Sequence, residues 1–389
     1  MNCLSINLRG AGNSMKGDWV KKIKIEHQIN FVSCQESQLV DEDSVPVDSF
    51  WDNSDFDYAL VGSRGRSGGL FCVWNPILLT ETEVIKAGNF ICVSGRWTGM
   101  QERINMVNVY APNNPGNRQT LWEDLLVLKN AKEGNWLFMG DFNEVRSREE
   151  RFSECACLTS MTAFNNFISR ADLVDFSMGG RRFTRMSDDG LSLSKIDRFL
   201  ACRGFMEKWN SAAVTVLPRR YSDHCPVILV SEIIDFGPRP FKFFNSWLLI
   251  DGLEEVVLGS WGRDAHEIDT GKVLLRKLQR LKTDVKAWRT TAKHNEDGEL
   301  KGLLKHIDDI ETIAESRVLS TPERMIRLEW RKRERGGVQK EEAGEGAVAE
   351  GCSTSVGIDL QYAEAGVDLQ EPFHDRVVDL QEAICTLRG

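Results

Sequence analysis

The sequence predicts an α/β protein in which mixed or antiparallel sheets are covered by helices. The first observation is a series of short apolar runs, bounded by Gly, Asn, Pro or Asp, which are typical of strands. The second is that helical patterns lie between only some of these runs. The third is that several neighbouring runs are joined by connections too short for a helical crossover, which argues against a doubly wound parallel sheet.

The apolar runs all lie within residues 1–235. They are CLSINL (3–8), INFVSCQE (29–36), GGLFCVWN (68–75), NFICVSGRW (89–97), INMVNVYAP (104–112), NWLFMGDF (135–142) and SAAVTVLP (211–218). Amphipathic patterns predict helices over 18–27, 118–131 and 158–171. Strands therefore outnumber helices in this part of the chain.

The composition changes after residue 235, and we expect four segments. These are a sandwich domain (1–235), a linker with an aromatic cluster (236–271), a helical, coiled-coil-like segment (272–335) and an acidic, disordered tail (336–389). The sequence HNEDGE at 294–299 predicts a break between two helices. These helices are the expected site of a protein partner or of self-association.

The overall charge and the cysteines limit the classes of function. The net charge of −9 over 389 residues does not indicate a general nucleic-acid binder, so such binding would depend on local basic clusters. No apolar run approaches the length of a membrane span, and the N-terminus lacks a secretory pattern. The scattered cysteines form no C-x-x-C pair, which indicates reduced thiols in an intracellular protein of the nucleus or cytoplasm.

Polar residues follow many of the apolar runs, where they would project at one rim of a sheet. They are Asn7, Glu36, Tyr110, Asp141, Asn143, Asp197, Asp223 and His224. Each has an ordinary structural explanation, such as a turn, a helix cap or a hydrogen-bonded core histidine. Their combination is more informative than any one of them, because together they supply what phosphodiester hydrolysis needs.

Hydrolysis of a phosphodiester needs a hard cation and an oriented water. A carboxylate such as Glu36 is the ligand that Mg²⁺ selects, and Asp141 is the candidate for orienting or deprotonating the water. The sequence contains neither a Gly-x-x-x-x-Gly-Lys loop nor a Gly-x-Ser-x-Gly elbow, so the nucleotide-triphosphatase and serine-hydrolase classes lack their signatures.

The nonbridging phosphate oxygens need hydrogen-bond donors. Asn143, Tyr110 and His224 are the candidates for this role. A histidine in such a position requires a carboxylate that fixes its tautomer and raises its pKa, and Asp197 is available. The sequence therefore predicts a metal-dependent phosphodiesterase.

The ordered motifs LSINLRG, FVSCQES, VNVYAP, MGDFNEV, SKIDRFL and SDHCPVIL resemble the endonuclease/exonuclease/phosphatase superfamily. Within it, the chain is most similar to the apurinic-type endonuclease domain of plant LINE-type (non-LTR) retrotransposon polyproteins. The resemblance covers about residues 1–335. No Phe/Tyr-x-Asp-Asp motif follows, so we expect an element truncated before its reverse transcriptase. The resemblance implies a four-layer α/β sandwich, with two sheets packed face to face and helices outside.

The resemblance also implies a role for each site residue. Glu36 would be the main ligand of Mg²⁺, or of Mn²⁺ as the alternative, with Asn7 beside it and Asp223 near the metal. Asp141 would handle the water, while Asn143 and Tyr110 hold the phosphate and Asp197 pairs with His224. The implied activity is a DNA endonuclease that nicks one strand.

Basic and small polar residues near the motifs are the expected DNA contacts. These are Thr184, Arg182, Arg219, Arg220 and Ser222. Two alternatives remain open at this point. One is another phosphoesterase of the same fold, acting on an RNA tail, an inositol phosphate or a lipid. The other is a catalytically silent remnant that acts as a binding protein.

Overall fold

The structure is a computed structural model of the chain. It describes residues 1–12, 14–40, 47–63, 68–152, 157–231, 247–248, 250–261 and 270–334. The predicted tail (336–389) and the cluster of phenylalanines in the predicted linker lie outside the described residues. All statements below concern the described part of the chain.

The first sheet has seven strands in the order β11-β15-β16-β1-β2-β4-β3. Its strands are β1 (Asn2–Asn7), β2 (Phe31–Gln35), β3 (Asp57–Val61), β4 (Leu70–Trp74), β11 (Met178–Gly180), β15 (Ala213–Val216) and β16 (Val227–Val230). β1 is parallel to β2 and antiparallel to β16, so the sheet is mixed. The central strands β1, β2 and β4 are buried along their whole length, which is why they appear in the sequence as unbroken apolar runs.

The second sheet has six strands in the order β10-β14-β8-β7-β6-β5. Its strands are β5 (Leu79–Ala87), β6 (Phe90–Trp97), β7 (Arg103–Tyr110), β8 (Asn135–Asp141), β10 (Leu173–Asp175) and β14 (Asp197–Cys202). A small third sheet pairs β12 (Arg185–Met186) with β13 (Leu193–Ser194) and β13 with β9 (Arg151–Phe152). In the second sheet, β7 and β8 are parallel and the other neighbouring strands are antiparallel.

Five helices lie in the first 231 residues. They are α1 (Ser14–His27), α2 (Val47–Phe50), α3 (Pro115–Asn130), α4 (Leu158–Arg170) and α5 (Arg203–Lys208), with a short 3₁₀ turn at Arg148–Glu150. The helices predicted over 18–27, 118–131 and 158–171 correspond to α1, α3 and α4. At the start of α3, the Asn114 side chain accepts the Gly116 and Asn117 backbone N–H groups, and Pro115 fills a position that needs no N–H donor.

Three apolar clusters define the layers. Phe31, Trp74, Met139 and Phe199 belong to a cluster between the two sheets. α1 packs on the outer face of the first sheet through Trp19, while α3 and α4 pack on the outer face of the second. Each fully buried aromatic side chain in these layers contributes on the order of 2–3 kcal/mol. The predicted four-layer sandwich, with helices outside two packed sheets, is confirmed.

Three more helices follow the sandwich: α6 (Leu253–Trp261), α7 (Thr270–Ala314) and α8 (321–334). The break predicted at 294–299 is wrong, because α7 continues through these residues. A single glycine, Gly298, costs a helix only about 1 kcal/mol, which neighbouring helix formers offset. The antiparallel partner is instead α8, whose Trp330 ring lies 5.0 Å from the ring of His306 in α7.

The chain forms two compact units. The first contains the described residues of Met1–Phe236 and Glu296–Ala343, and the second those of Gly237–Asn295. The predicted helical segment, 272–335, is therefore divided between the units within α7. We call residues 296–334, the end of α7 together with α8, the C-terminal hairpin. In the second unit, Trp247 in a short 3₁₀ turn makes an edge contact with Trp288 of α7, with ring centroids 6.5 Å apart.

Two further observations concern the helices and the cysteines. Among the described residues, no helix combines the length and the apolar character needed to cross a membrane. The cysteines in the same residues are free thiols, and burial raises the pKa of Cys92 and Cys225 to about 11. These thiols therefore stay protonated and pack as small apolar side chains.

Candidate active site

Strand register brings three of the predicted polar residues together at one rim of the second sheet. Tyr110 at the end of β7 pairs with Asp141 at the end of β8, and Asp141 pairs with Asp197 at the start of β14. Gly140 makes this possible, since a Cβ there would lie 2.0 Å from the carbonyl oxygen of Val109. Residues opposite each other in a ladder lie about 5 Å apart, so the two carboxylates are neighbours.

His224 approaches these carboxylates from the first sheet's side. Its Nδ1 lies 2.9 Å from Asp197 Oδ2, and its Nε2 lies 3.9 Å from Asp141 Oδ2. The Asp197 bond fixes the ring orientation and leaves Nε2 directed toward Asp141. We call Asp141, Asp197 and His224 the rim cluster; all three are almost completely buried.

The ionisation of His224 is set by opposing effects. Burial lowers the pKa of the imidazole, but the charges of Asp197, Asp141 and Asp223 and the hydrogen bond that His224 donates to Asp197 outweigh it and raise the pKa to about 9. At neutral pH the ring is therefore an imidazolium, a hydrogen-bond donor at both nitrogens.

For Asp141, burial and the main neighbouring charge change the pKa in the same direction. Burial, and then the negative charge of Asp197, raise the pKa of its carboxyl to about 7. Its Oδ2 accepts a hydrogen bond from Asn7 Nδ2 at 3.0 Å, and its Oδ1 accepts the Asn143 backbone N–H at 2.8 Å. A buried carboxyl with a pKa near neutrality is suited to exchange a proton with a bound water.

Glu36 and Tyr110 form the next part of the rim. Glu36 follows β2 directly, is half-buried and has a φ of 51°, while a hydrogen bond links its carboxylate to the Tyr110 hydroxyl. Burial, together with the charges of Glu36 and Asp141, raises the pKa of Tyr110, so the phenol keeps its proton. Arg9 and Asn143 also have positive φ, of 49° each. Such strained non-glycine residues tend to cluster at functional sites.

Asp223 lies between two arginines. Its Oδ2 is 3.2 Å from Arg9 Nη1 and 3.3 Å from Arg185 Nε. Its Oδ1 is buried and has no hydrogen-bond partner among the described residues. An unsatisfied buried carboxylate oxygen is costly unless something binds it, which fits a cation held jointly by Asp223 and nearby Glu36.

The predicted metal ligand Asn7 has its amide group engaged by the protein. Nδ2 donates to Asp141, and Oδ1 accepts the Arg9 backbone N–H at 3.0 Å, which leaves Oδ1 one further lone pair. The nearest cluster of potential ligand atoms in the described residues is the rim cluster itself, with atoms within 4.8 Å of one another. A charged imidazole has no lone pair to offer, so the carboxylates are the better metal ligands.

The predicted DNA contacts lie in different environments. Thr184 is buried, and its Oγ1 accepts the backbone N–H groups of Ile196 and Asp197 at 3.0 Å each. Ser222 is also buried; its hydroxyl donates to the Asn7 carbonyl at 2.7 Å and accepts the His224 backbone N–H at 3.1 Å. Both hydroxyls therefore hold the site residues in place, and their burial does not fit direct DNA contact.

The predicted arginines differ in the same way. Arg219 is buried, with a side-chain exposure of only 1%, and binds Glu311 at 2.9 Å. Arg220 is mostly covered, between Glu334 and the ring of Tyr221. Only Arg182 is exposed, although its guanidinium donates to the Glu149 carbonyl at 3.0 Å. Burial of Arg219 does not fit a phosphate contact, because such a contact would require it to leave Glu311.

Arg9 lies outside the predicted contacts, whereas Arg185 belongs with Arg181 and Arg182 to a basic cluster that the sequence indicates as a DNA phosphate contact. The side chains of Arg9 and Arg185 are 48% and 37% exposed, and both reach Asp223. The backbone of Arg185 forms an isolated bridge with His224, which brings this arginine to the rim. For Arg9 the only sequence signal was its position two residues after Asn7.

Comparison with known proteins gives one family match. Residues 15–224 match the model of the Endonuclease/Exonuclease/phosphatase family. This match spans more than half of the chain and runs from α1 to His224. No curated protein matches the chain closely enough to be a relative.

Solved structures with similar architecture include several nucleases. The AP endonuclease LMAP from Leishmania major is 12% identical with a TM-score of 0.48, over 59% of this chain and 86% of that one. An AP endonuclease from Archaeoglobus fulgidus is 15% identical with a TM-score of 0.49, over 60% and 100%. The endonuclease domain of TRAS1, a telomere-specific non-LTR retrotransposon, is 14% identical with a TM-score of 0.44, over 59% and 96%.

The family match covers every element that carries the rim cluster, from the helix after β1 to the loop before β16. The chain belongs to the Endonuclease/Exonuclease/phosphatase family.

Proposed function

We propose that the chain is a Mg²⁺-dependent DNA endonuclease that nicks one strand of a duplex, of the type found in non-LTR retrotransposons. The observation that carries the proposal is the rim cluster, in which the buried His224 imidazole lies 3.9 Å from the buried Asp141 carboxyl, with pKa values raised to about 9 and about 7. Both pKa values lie above those of ordinary residues of the same type, which is typical of groups that transfer protons in catalysis.

In this proposal, Asp141 holds and deprotonates the attacking water. Its carboxylate is kept in place by Asn7 and by the Asn143 backbone N–H. The proton moves from the water to a carboxylate oxygen of Asp141 as the water oxygen bonds to phosphorus. The bond from phosphorus to one sugar oxygen breaks, and that leaving oxygen takes a proton from solvent water. Asn7 and the Asn143 backbone therefore act on the water through Asp141. The Asn143 amide, predicted to hold the phosphate, instead donates to the Ala111 carbonyl at 2.7 Å.

Two hydrogen-bond donors of the site act on the phosphate in this proposal. His224 Nε2–H and the Tyr110 hydroxyl, which stays protonated, stabilise the charge that develops on the nonbridging oxygens. Asp197 keeps the imidazole charged and oriented. A Mg²⁺ ion held by Glu36 and Asp223 would neutralise phosphate charge when it is bound.

DNA as the substrate is supported by the exposed basic side chains near this rim. Arg9 and Arg185 lie beside Asp223, and Arg182 is exposed on the segment that leads to Thr184 and Arg185. Positive side chains with free surface are the usual contacts to the sugar–phosphate backbone. These residues replace Arg219 in the proposed interface.

The experiment is a nicking assay on supercoiled plasmid with the purified full chain. We expect open-circle product with Mg²⁺, none with EDTA, and recovery when Mg²⁺ is added in excess. A parallel panel contains a 3′-phosphorylated oligonucleotide, an RNA oligonucleotide, an inositol phosphate and a phospholipid. Turnover of one of these with no plasmid nicking would assign the site to another phosphoesterase. Inactivity on every substrate would leave the silent binding protein as the answer.

A further inference from the structure

Within the first unit, the C-terminal hairpin packs on the sandwich around one acidic residue, Glu311. Its carboxylate accepts hydrogen bonds from Arg219 Nε at 2.9 Å, Arg327 Nε at 3.0 Å and Arg331 Nη2 at 2.8 Å. We call Glu311 and these three arginines the Glu311 cluster. Burial opposes the ionised form of Glu311, but the three guanidinium groups outweigh it and lower the carboxyl pKa to about 2.

The same cluster holds the main chain next to the proposed active site. Arg331 donates to the backbone carbonyl of Arg220 at 3.0 Å and to that of Arg219 at 3.3 Å. Ser222 and His224 follow within five residues. The hairpin therefore binds both a side chain and the backbone at the beginning of the segment that carries Ser222, Asp223 and His224.

A second contact lies on the other side of His224. Arg181 forms an ion pair with Asp308 and donates to Thr312 Oγ1 at 2.8 Å. Beside it, Phe183 and Met186 pack with Ala314 and Leu319 of the hairpin. This strand segment includes Arg185, whose backbone forms the bridge with His224.

The two contacts fix both chain segments that meet at His224. One segment enters through Arg219 and Arg220, and the other passes through Arg181 and Arg185. The hydrogen bonds of Glu311 and Arg331 go to arginines, to Glu334 and to the backbone at 219–220, and none goes to the rim cluster. The hairpin can therefore act on the rim through the positions of these two segments.

We propose that Glu311 and Arg331 are positioning residues for the segment 219–224, so that the C-terminal hairpin is a structural part of the nuclease unit. The inference rests on the proposed function, because positioning matters only if His224 acts in catalysis. A displacement of about 1 Å of a catalytic group can cost up to about 100-fold in rate.

The test uses two variants of the full chain. Glu311→Asp keeps the charge but shortens the side chain, so it cannot reach all three arginines together. Arg331→Lys keeps the charge but loses the fork that binds two backbone carbonyls. The matched control is Glu329→Gln in the same hairpin, which removes the carboxylate of the exposed pair with Arg333. Far-UV circular dichroism establishes that each variant is folded.

Two measurements follow for each variant. In steady-state nicking, we expect kcat to fall at least tenfold for both variants while KM for plasmid changes less than twofold. In the NMR spectrum of ¹³C-histidine-labelled protein at pH 7, we expect the His224 resonance, assigned with His224→Gln, to shift in both variants. The control should match wild type in both measurements.

The outcomes separate the two proposals. Folded variants with wild-type kcat and an unmoved His224 resonance would overturn the positioning role. A wild-type chain that does not nick DNA would overturn the proposed function, whereas a shifted His224 resonance in the same samples would still support positioning. If one variant is unfolded, the other alone decides by the same criteria.

Discussion

Two buried groups of charges lie in the first unit, and they respond to burial in opposite ways. In the rim cluster, two carboxylates face each other with a single imidazole, and the pKa of Asp141 rises to about 7. In the Glu311 cluster, one carboxylate faces three arginines, and its pKa falls to about 2. Desolvation penalises the charge in both places, so the neighbouring charges decide the outcome. The first arrangement can exchange protons near neutral pH, and the second is fixed as an ionised network.

The largest expected effect comes from removing the C-terminal hairpin. A chain that ends at Ser231 loses Glu311, so the buried ion pair with Arg219 is gone and the guanidinium meets water. Uncovering a buried apolar side chain costs about 1.5–3 kcal/mol, and several of them together are comparable with the stability of a whole domain. The apolar contacts of Phe183 and Met186 are lost as well. We therefore expect an insoluble or unfolded product, as measured by circular dichroism and size-exclusion chromatography.

The comparison for this truncation is a chain that ends at Arg335, which keeps the hairpin. It should fold and retain nicking. A soluble, active chain ending at Ser231 would support the boundary predicted from sequence near residue 235, and it would contradict the inclusion of the hairpin in the first unit.

The second prediction concerns the pH dependence of nicking, which the rim cluster should determine. If Asp141 is the base, nicking should rise about tenfold per pH unit below its pKa of about 7. If charged His224 is the donor, nicking should fall as pH increases above about 9. The apparent pKa values of the acid and alkaline limbs of this pH profile belong to the coupled rim cluster as a whole and not to single residues. In Asp197→Asn, which removes the main charge that raises the pKa of His224, the alkaline limb should move to lower pH. An unmoved limb would exclude His224 as its source.

The third prediction concerns acid stability. The folded pKa of Glu311, about 2, lies below its ordinary value of 4.5, so the Glu311 cluster contributes stability above pH 4.5 that is lost as pH falls toward 2. The size is about 3 kcal/mol by linkage. His224 has the opposite sign, since its raised pKa gives stability that is lost as pH increases through about 9. Urea unfolding of the wild type and of Glu311→Gln between pH 2 and 7 measures the difference. An equal loss of stability in acid for the two proteins would contradict the predicted contribution of Glu311.

The smallest effect is expected at the surface of the same hairpin. Glu329 lies 3.3 Å from Arg333 in α8, and both side chains are more than half exposed. Exposed ion pairs contribute between about 0 and 1 kcal/mol because water screens them. Glu329→Gln should therefore change the urea midpoint very little. A fall in the urea midpoint as large as that of Glu311→Gln would mean that burial does not determine how much these two acidic residues contribute to stability.

Much of the fold was predictable because fully buried strands leave unbroken apolar runs in the sequence. The rule that polar residues follow such runs also grouped Tyr110 and Asp141, which register places opposite each other. The roles of these residues stay predictions. The break predicted at 294–299 failed because one glycine in a helical pattern is too weak a signal.

The environment of Arg219 was not predictable from the sequence. Its partner Glu311 is 92 residues away, and no local pattern distinguishes a buried arginine in such a pair from one that faces DNA. The same limit applies to Ser222 and Thr184, whose hydroxyls are used inside the fold. Short polar motifs reveal which chemistry is present, whereas long-range pairing decides which groups remain free to take part.

The most direct test of the central claim compares nicking by the wild type with nicking by Asp141→Asn and His224→Ala at saturating Mg²⁺. The account predicts that each substitution lowers the rate by at least about 100-fold, the usual weight of one acid–base or charge-stabilising group. The far-UV circular dichroism of both variants should match wild type, since the changes lie at a rim and not in the apolar core. A folded variant of either kind that nicks DNA at the wild-type rate would contradict the account.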